Sequence, residues 1–313
     1  MLTNDGVIYL LDTEYCELNF QLKLLDDSKL PQYKNSMLVG AFLNEMLNLY
    51  CFNNKDCGKC QSKNICSIQV LLSNNFDAQK PLVLQSEKIQ PLFLIKCSDR
   101  KTNFKKDSIL KFNIVLIGQA MDFLSQFIYI FDRLGDIGIG SNKSKYLLEG
   151  IYNQKGQPIY KDGYLYEENI NKNRLNSYID MRKRSIKKVK KIEFITPYIK
   201  IEEKNNYIDL NMDNIFQAIE IRLRTLNILE DLDTEKFKLI KQNTYVKSFH
   251  FNLIKRKYFI KKQNTYKFII GFKGSIEFQD NAIEYIDYLL ACEKMLIGSN
   301  ILLGFGEYVV KEE

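Results

Sequence analysis

The sequence predicts an α+β protein of two tandem ferredoxin-like units, each β-α-β-β-α-β, with a cysteine-rich loop inserted in the first. Three observations carry this reading. Apolar residues switch between strand and helix periods in the same order in both halves. At 313 residues the chain is long for one compact domain. A polar, turn-rich and then basic stretch separates the halves, which places one unit at 1–185 and the other at 186–313.

In the first half, "YCELNFQLKLL" (15–25) alternates as an outer strand does. Leu38, Phe42, Met46 and Leu49 recur at helical spacing, so 36–50 is an amphipathic helix. "PLVLQ" and "QPLFLIKC" read as strands around a turn, and "SILKFNIVLIG" (108–118) as a stronger strand. A helix over 120–134 carries Leu124, Ile128 and Phe131 on one face and ends at Gly135. Residues 154–190 are turn-rich and then basic: seven of the ten from Arg182 to Lys191 are Lys or Arg. The second half repeats the pattern. "KIEFITPYIKIEE" is a strand whose Pro marks an edge or bulge. Ile215, Ile219, Leu223 and Leu226 mark a helix over 211–230. "YVKSFHFNLIKRKYFI" and "TYKFIIGFKGSIEF" flank "KKQN" as a long hairpin. A helix over 281–297 and a closing strand in "LLGFGEYVV" complete the unit.

Composition sets bounds. Hydrophobic residues make up 45% and charged residues 27%, which fits a globular core with a solvated surface. No apolar run reaches the roughly 18 residues that span a bilayer, and the start "MLTNDGVIYLLD" lacks a signal-peptide pattern. Seven cysteines, an odd number, point to a reducing cytoplasm rather than to a disulfide framework. The net charge of +7 suits a phosphate-rich partner without requiring one.

Four of the seven cysteines fall in "CFNNKDCGKCQSKNIC". Cys51, Cys57, Cys60 and Cys66 are separated by five, two and five residues, and Cys57-Gly-Lys-Cys60 has the form of a metal knuckle. Four thiolates suit a closed structural zinc site, an iron–sulfur cluster takes the same donors, and unmetallated thiols are the third reading. A closed site has no open position for substrate, so a staple is expected rather than a catalytic metal.

Two glycine-rich turns follow. In "KMLIGSNILLGFGEYVV", Gly298 stands where a helix ends, and Gly304 and Gly306 flank Phe305. The segment reads either as a cap or as backbone N–H groups offered to phosphate. "GIGSNKSKY" offers Gly138, Gly140, Lys143 and Lys145 as a phosphate contact or as a solvated turn. The basic runs 182–191 and "KRK" at 255–257 attract RNA or are solvated surface. His250 lies on the polar face of its strand with Ser248 and Asn252, while Phe249, Phe251 and Leu253 take the apolar face. It is the only histidine, hence the only side chain whose ordinary titration lies near neutral pH.

In this order the segments resemble the CRISPR-associated endoribonucleases that process precursor crRNA, Cas family six of the RAMP superfamily. The resemblance runs through "LPQYKNSMLVGAFLNEM", the cysteine cluster, "LGDIGIGSNKSKYLL", "IEFITPYIKI", "GFKGSIEF" and "IGSNILLGFGEYVV", from about residue 15 to 310. It implies tandem RRM-like RAMP domains and metal-independent RNA cleavage, in which a 2′-hydroxyl attacks the adjacent phosphate to leave 2′,3′-cyclic phosphate and 5′-hydroxyl ends. It also implies repeat RNA or crRNA as partner, other Cas effector subunits beside it, and no membrane. Asn44 stands where the family often has a first-helix histidine, and Leu43 where related enzymes have a tyrosine. Proton transfer therefore passes to Tyr33, Lys34 and His250 as candidates, and the alternative is a non-catalytic crRNA-binding subunit. The resemblance assigns RNA contact to Asn44, Lys143, Lys145, Gly298, Ser299, Asn300, Gly304 and Gly306.

Overall fold

The computed structural model describes residues 13–186, 188–200, 210–226, 246–260, 263–279 and 286–312. Outside them lie the start of the chain, Lys187, the ends of the strand read over 191–203 and of the helix read over 211–230, Tyr245, residues 261–262 of the hairpin turn, and the first residues of the helix read over 281–297.

Strand β1 (Glu14–Leu24) alternates as expected, with Leu18, Phe20, Leu22 and Leu24 fully buried. It is nevertheless a central strand, not an outer one. It pairs antiparallel with Ile109–Ile117 (β3) on one side and Tyr146–Tyr152 (β4) on the other. Alternation reports that one face of the sheet is uncovered, which is true of central and edge strands alike in such a layer. Helix α1 (Asn35–Tyr50) follows, and its Asn35 side chain donates to Ile95 O of strand β2 (Phe93–Lys96) at 2.6 Å. The predicted strand at "PLVLQ" is instead a single helical turn, Leu82–Gln85, started by Pro81. A Pro at a turn's entry presets φ for helix and removes an N–H that would have no partner there.

Helix α2 (Leu124–Ile137) runs past Gly135 and stops at Gly138, whose φ of 83° favours glycine. Gly135 has a different reason to be small: a Cβ there would collide with the Tyr146 carbonyl of β4. With β4 the first sheet takes the order β2-β3-β1-β4, all antiparallel, and α1 and α2 lie on one face. Six phenylalanines fill the space between, among them Phe42 stacked on Phe127 at 4.2 Å. Burying each ring contributes about 2–3 kcal/mol.

The polar stretch after β4 is folded. It extends the first sheet with Pro158–Lys161 (β5), Tyr164–Leu165 (β6) and Asn173–Arg174 (β7), and then forms helix α3 (Leu175–Ser185). The second unit uses Lys191–Phe194 (β8), Met212–Thr225 (α4), Val246–Ile260 (β9), Thr265–Phe278 (β10), Ile286–Met295 (α5) and Tyr308–Lys311 (β11). Its sheet order, β9-β10-β8-β11, repeats that of the first unit strand for strand. The tandem ferredoxin-like reading therefore holds. No helix among the described residues is long and apolar enough to cross a membrane.

Part of the basic run is structural. Arg182 of α3 forms a two-pronged pair with Glu293 of α5, at 2.9 and 3.1 Å, and donates to Val310 O at 2.9 Å. Lys183 pairs with Asp287 at 2.8 Å. Cutting Arg182 back to Ala leaves the buried Glu293 carboxylate without its charged partner, with only neutral donors such as Val310 N–H remaining. The expected cost is about 3 kcal/mol in denaturant unfolding, with Arg182→Lys recovering only part of it.

Candidate functional site

The second unit's hairpin leans on the first unit. The outer half of β9 and β10 buries Ile260 and Ile269 against Val83, Leu303 and Phe305. Between this hairpin, the exposed side of α1 and residues 76–83 runs a groove of about 840 Å³. Tyr33, Ser36 and Asn44 line one wall, Lys255, Arg256 and Lys257 the other, and Lys80 stands on the remaining side.

Tyr33 is at the centre of the groove's electrostatics. The Arg256 guanidinium lies 3.9 Å from its ring centroid, and that of Arg100 lies 5.1 Å away. Arg256 also covers the Phe305 ring at 4.7 Å. It is only 9% exposed, and its Nε is buried without a hydrogen-bond partner. An unmatched buried donor is costly unless something accepts from it. A phenol with a guanidinium, facing open volume, is an arrangement able to meet an anion and exchange a proton. Arg256 and Arg100 were missed as site residues. "KRK" marked the first only as part of a basic run that attracts RNA or is solvated surface, and nothing local in the sequence marks Arg100.

The other expected site residues are distributed as follows. Asn44 is exposed and lines the groove. Lys34 is a correction. Its side chain is fully buried, donating to Lys101 O at 2.6 Å and Asp99 O at 2.9 Å, so it ties a loop to the start of α1 instead of facing a ligand. Burial is the main cause that lowers its pKa. His250 is a second correction, because the structure does not bring it to Tyr33. It sits six residues back along β9, roughly 20 Å by strand rise, and is not part of the groove's lining. Its Nε2 meets Ser248 Oγ at 2.9 Å, and Ser248 donates to Glu277 at 3.2 Å, a bond that lowers the Glu277 carboxyl's pKa. The polar face read for His250 is correct. The apolar face is not covered throughout, since Phe249 and Leu253 are exposed. Lys143 and Lys145 are exposed on a tight turn closed by the Ile139–Ser144 bridge, and neither lines the groove.

The glycine-rich loop is the third correction. Ser299 and Asn300 are buried, with Ser86 Oγ donating to Asn300 Oδ1 at 2.5 Å, Ser299 Oγ to Glu87 O at 3.2 Å and Gln90 Nε2 to Gly298 O at 3.1 Å. The N–H groups of Ser299, Gly304 and Gly306 bond to Ile199 O, Ile301 O and Pro197 O. These donors are satisfied inside the seam between the units and are not offered to phosphate. Gly298, Gly304 and Gly306 all have positive φ and lie against Ile199 O, Asn35 and Ile297 O.

Cys51, Cys57, Cys60 and Cys66 all line one small cavity of about 20 Å³, next to the end of α1. That is room for a body the size of one water or ion. Lys55 N–H points at Cys51 Sγ at 3.3 Å and Ala78 N–H at Cys57 Sγ at 3.4 Å. The donor set and the room fit a soft metal ion. The sulfur atoms are not drawn together, however: among the described residues no three Cys, His, Asp or Glu side chains stand close enough to hold an ion.

A model of the AF_1859_N family, an N-terminal domain, matches residues 11–174, more than half of the chain. The chain belongs to this family. No curated protein matches it in sequence. Among solved structures, a partial Cas6-RT-Cas1–Cas2 complex superposes with a TM-score of 0.58 at 13% identity, over 96% of this chain and 46% of that one. The chain thus spans less than half the length of that protein. The Cas6 (TTHB231) product complex, a protein of Thermus thermophilus, gives 0.54 at 12% identity, over 95% and 99% of the two chains. The Cas6 (TTHA0078) product complex gives 0.52 at 12% identity, again over 95% and 99%. At these identities the likeness establishes the fold, and the fold recognised in the sequence holds over nearly the whole chain.

The packing role of the loop glycines is directly checkable. Gly306→Ala drives a methyl into the Ile297 carbonyl at φ 79°, whereas Gly163→Ala meets open space at φ 83°. The first is expected to destabilise by at least about 2 kcal/mol more than the second, as a difference in thermal unfolding midpoints.

Proposed function

We propose that this protein binds CRISPR repeat RNA in the groove between α1 and the β9–β10 hairpin and cuts it without a catalytic metal. The observation that supports this most is Tyr33, held between Arg256 and Arg100 in a groove that both units of a Cas6-type fold build. The 2′-hydroxyl oxygen next to the cut attacks phosphorus, and the P–O5′ bond breaks. The 2′-hydroxyl proton leaves, the departing 5′-oxygen gains one, and the products are a 2′,3′-cyclic phosphate and a 5′-hydroxyl. Tyr33 is the group for proton transfer in this scheme, with Arg256 and Arg100 set to meet the extra negative charge of the phosphorane. Asn44 holds a ribose or base edge by hydrogen bonding. With Lys34 tied up by carbonyls and His250 remote, Tyr33 alone remains of the three candidates.

Tyr33→Phe is expected to slow a single defined cut by at least 10²-fold while leaving RNA affinity within two-fold, and EDTA to leave the wild-type rate unchanged. Equal rates for Tyr33→Phe and wild type would remove Tyr33 from the reaction. A second reading, an RNA-binding subunit that does not cut, is favoured by Asn44 standing exposed in the groove without a neighbouring histidine. Tight binding with no product at high protein concentration would select it.

The cysteine loop is proposed to hold one structural zinc ion through Cys51, Cys57, Cys60 and Cys66, fixing the exit of α1. Purified protein is expected to release about one zinc per chain on thiol modification, as four thiolates of one closed site require. Cys57→Ser is expected to lower the unfolding temperature while sparing the rate per folded molecule. A protein that carries iron and sulfide instead, or no metal, would overturn the zinc assignment.

A further inference from the structure

The outer half of the β9–β10 hairpin has two faces with different fates. One buries Arg256, Ile260 and Ile269 against Tyr33 and Val83 of the first unit and Leu303 and Phe305 of the second, and Lys267 on the same face pairs with Glu87 at 2.5 Å. The alternate residues point away. Leu253, Tyr266, Phe268 and Ile270 among them are 57, 52, 47 and 38% exposed. The register makes them one patch: Lys255 lies opposite Ile270 and Lys257 opposite Phe268, with Tyr266 two residues along the same strand. Isolated exposed apolar residues are ordinary, but a contiguous face of aromatic and aliphatic side chains on a rigid hairpin is not.

The charge on this face is one-signed. Lys255 Nζ sits 4.2 Å from the Phe268 ring centroid and Lys257 Nζ 3.7 Å from that of Tyr266. Residues 253–257 and 266–270 contain no Asp or Glu. Rings interleaved with ammonium groups and free of carboxylates match what unpaired nucleic acid requires: flat apolar surfaces for bases and cations for the phosphates between them. A protein partner fits less well, because lysine is depleted where protein surfaces meet. Lys255, Lys257 and Tyr266 also line the groove, so one strand can pass from the groove onto this face without a break.

We propose that the outward face of the β9–β10 hairpin is a stacking platform for unpaired nucleotides that flank the segment held in the groove. The proposal rests on the groove being the RNA site, and the test separates the two. The chain has no tryptophan, so Phe268→Trp places a single indole reporter on the platform. Its emission is expected to be quenched by a single-stranded oligouridylate and not by duplex RNA of the same length. Phe268→Ala is expected to weaken a repeat RNA carrying an unpaired extension roughly ten-fold, and the trimmed RNA less than two-fold. That loss persists at raised salt, whereas the loss from Lys255→Ala shrinks. Cleavage without indole quenching, or equal weakening of both RNAs, overturns the platform. Quenching without any cleavage removes the catalytic reading of the groove and leaves the platform standing. A wild-type dimer that Phe268→Ala dissociates assigns the face to a second copy of the chain and also overturns it.

Discussion

The fixed seam between the two units is the constraint on which the rest of the molecule depends. At its centre Arg222 of α4 is wholly buried, donating to Met295 O at 2.9 Å in its own unit and to Pro91 O at 2.8 Å in the other. Burial brings its pKa down to about 10, still well above neutral, so a cation is held in the interior with no carboxylate among the described residues paired to it. Among the described residues, carbonyl oxygens receive it, with Nη2 left over. Beside it the glycine-rich loop is threaded between residues 86–90 and 197–199. Because Leu303 and Phe305 come from that loop, its position sets where the hairpin leans, and through the hairpin where Arg256 meets Tyr33. The groove's geometry is a property of the seam, not of either unit alone.

Much of the fold was legible because its signals are local. The 3.6-residue recurrence of Leu38, Phe42 and Met46 reports a helix whatever surrounds it, and all three are buried. The errors came where a local signal has two meanings. Alternation along β1 did not separate a central strand from an outer one. The apolar run "PLVLQ" is too short to carry a period, and there Pro81 was the better guide. Residues 154–190 looked like a linker because two- and four-residue strands leave almost no pattern, although their pairing onto β1 and β4 makes them part of the sheet.

Of the candidate site, only residues on α1 and its approach were legible. Tyr33 and Asn44 face the groove because they precede and ride on a helix whose apolar stripe fixes which side is buried. Lys34 shows the limit of such reasoning: a lysine next to a candidate tyrosine reads as a second group for proton transfer, yet two carbonyls some 65 residues away claim it. Glycine and hydroxyl residues in a loop are similarly ambiguous, serving a ligand or a tight crossing of backbones. Here they serve the crossing. The Tyr33–Arg256 stack joins residues far apart in sequence, and no pattern within either segment announces it.

That separation also bears on how the chain reaches its working form. The hydrogen bonds that close the seam join residues 131 to 214 positions apart. Contacts this distant form late, after each sheet has gathered its own strands and the entropy of closing a long loop has been met. During synthesis the first unit emerges and folds with Tyr33 already in place. It then waits for the loop that seats the hairpin, which begins at Gly298 and follows the hairpin in the chain. A nascent chain therefore exposes the lysines of the first unit before the groove has both its walls. The groove is complete only once the glycine-rich loop has been made.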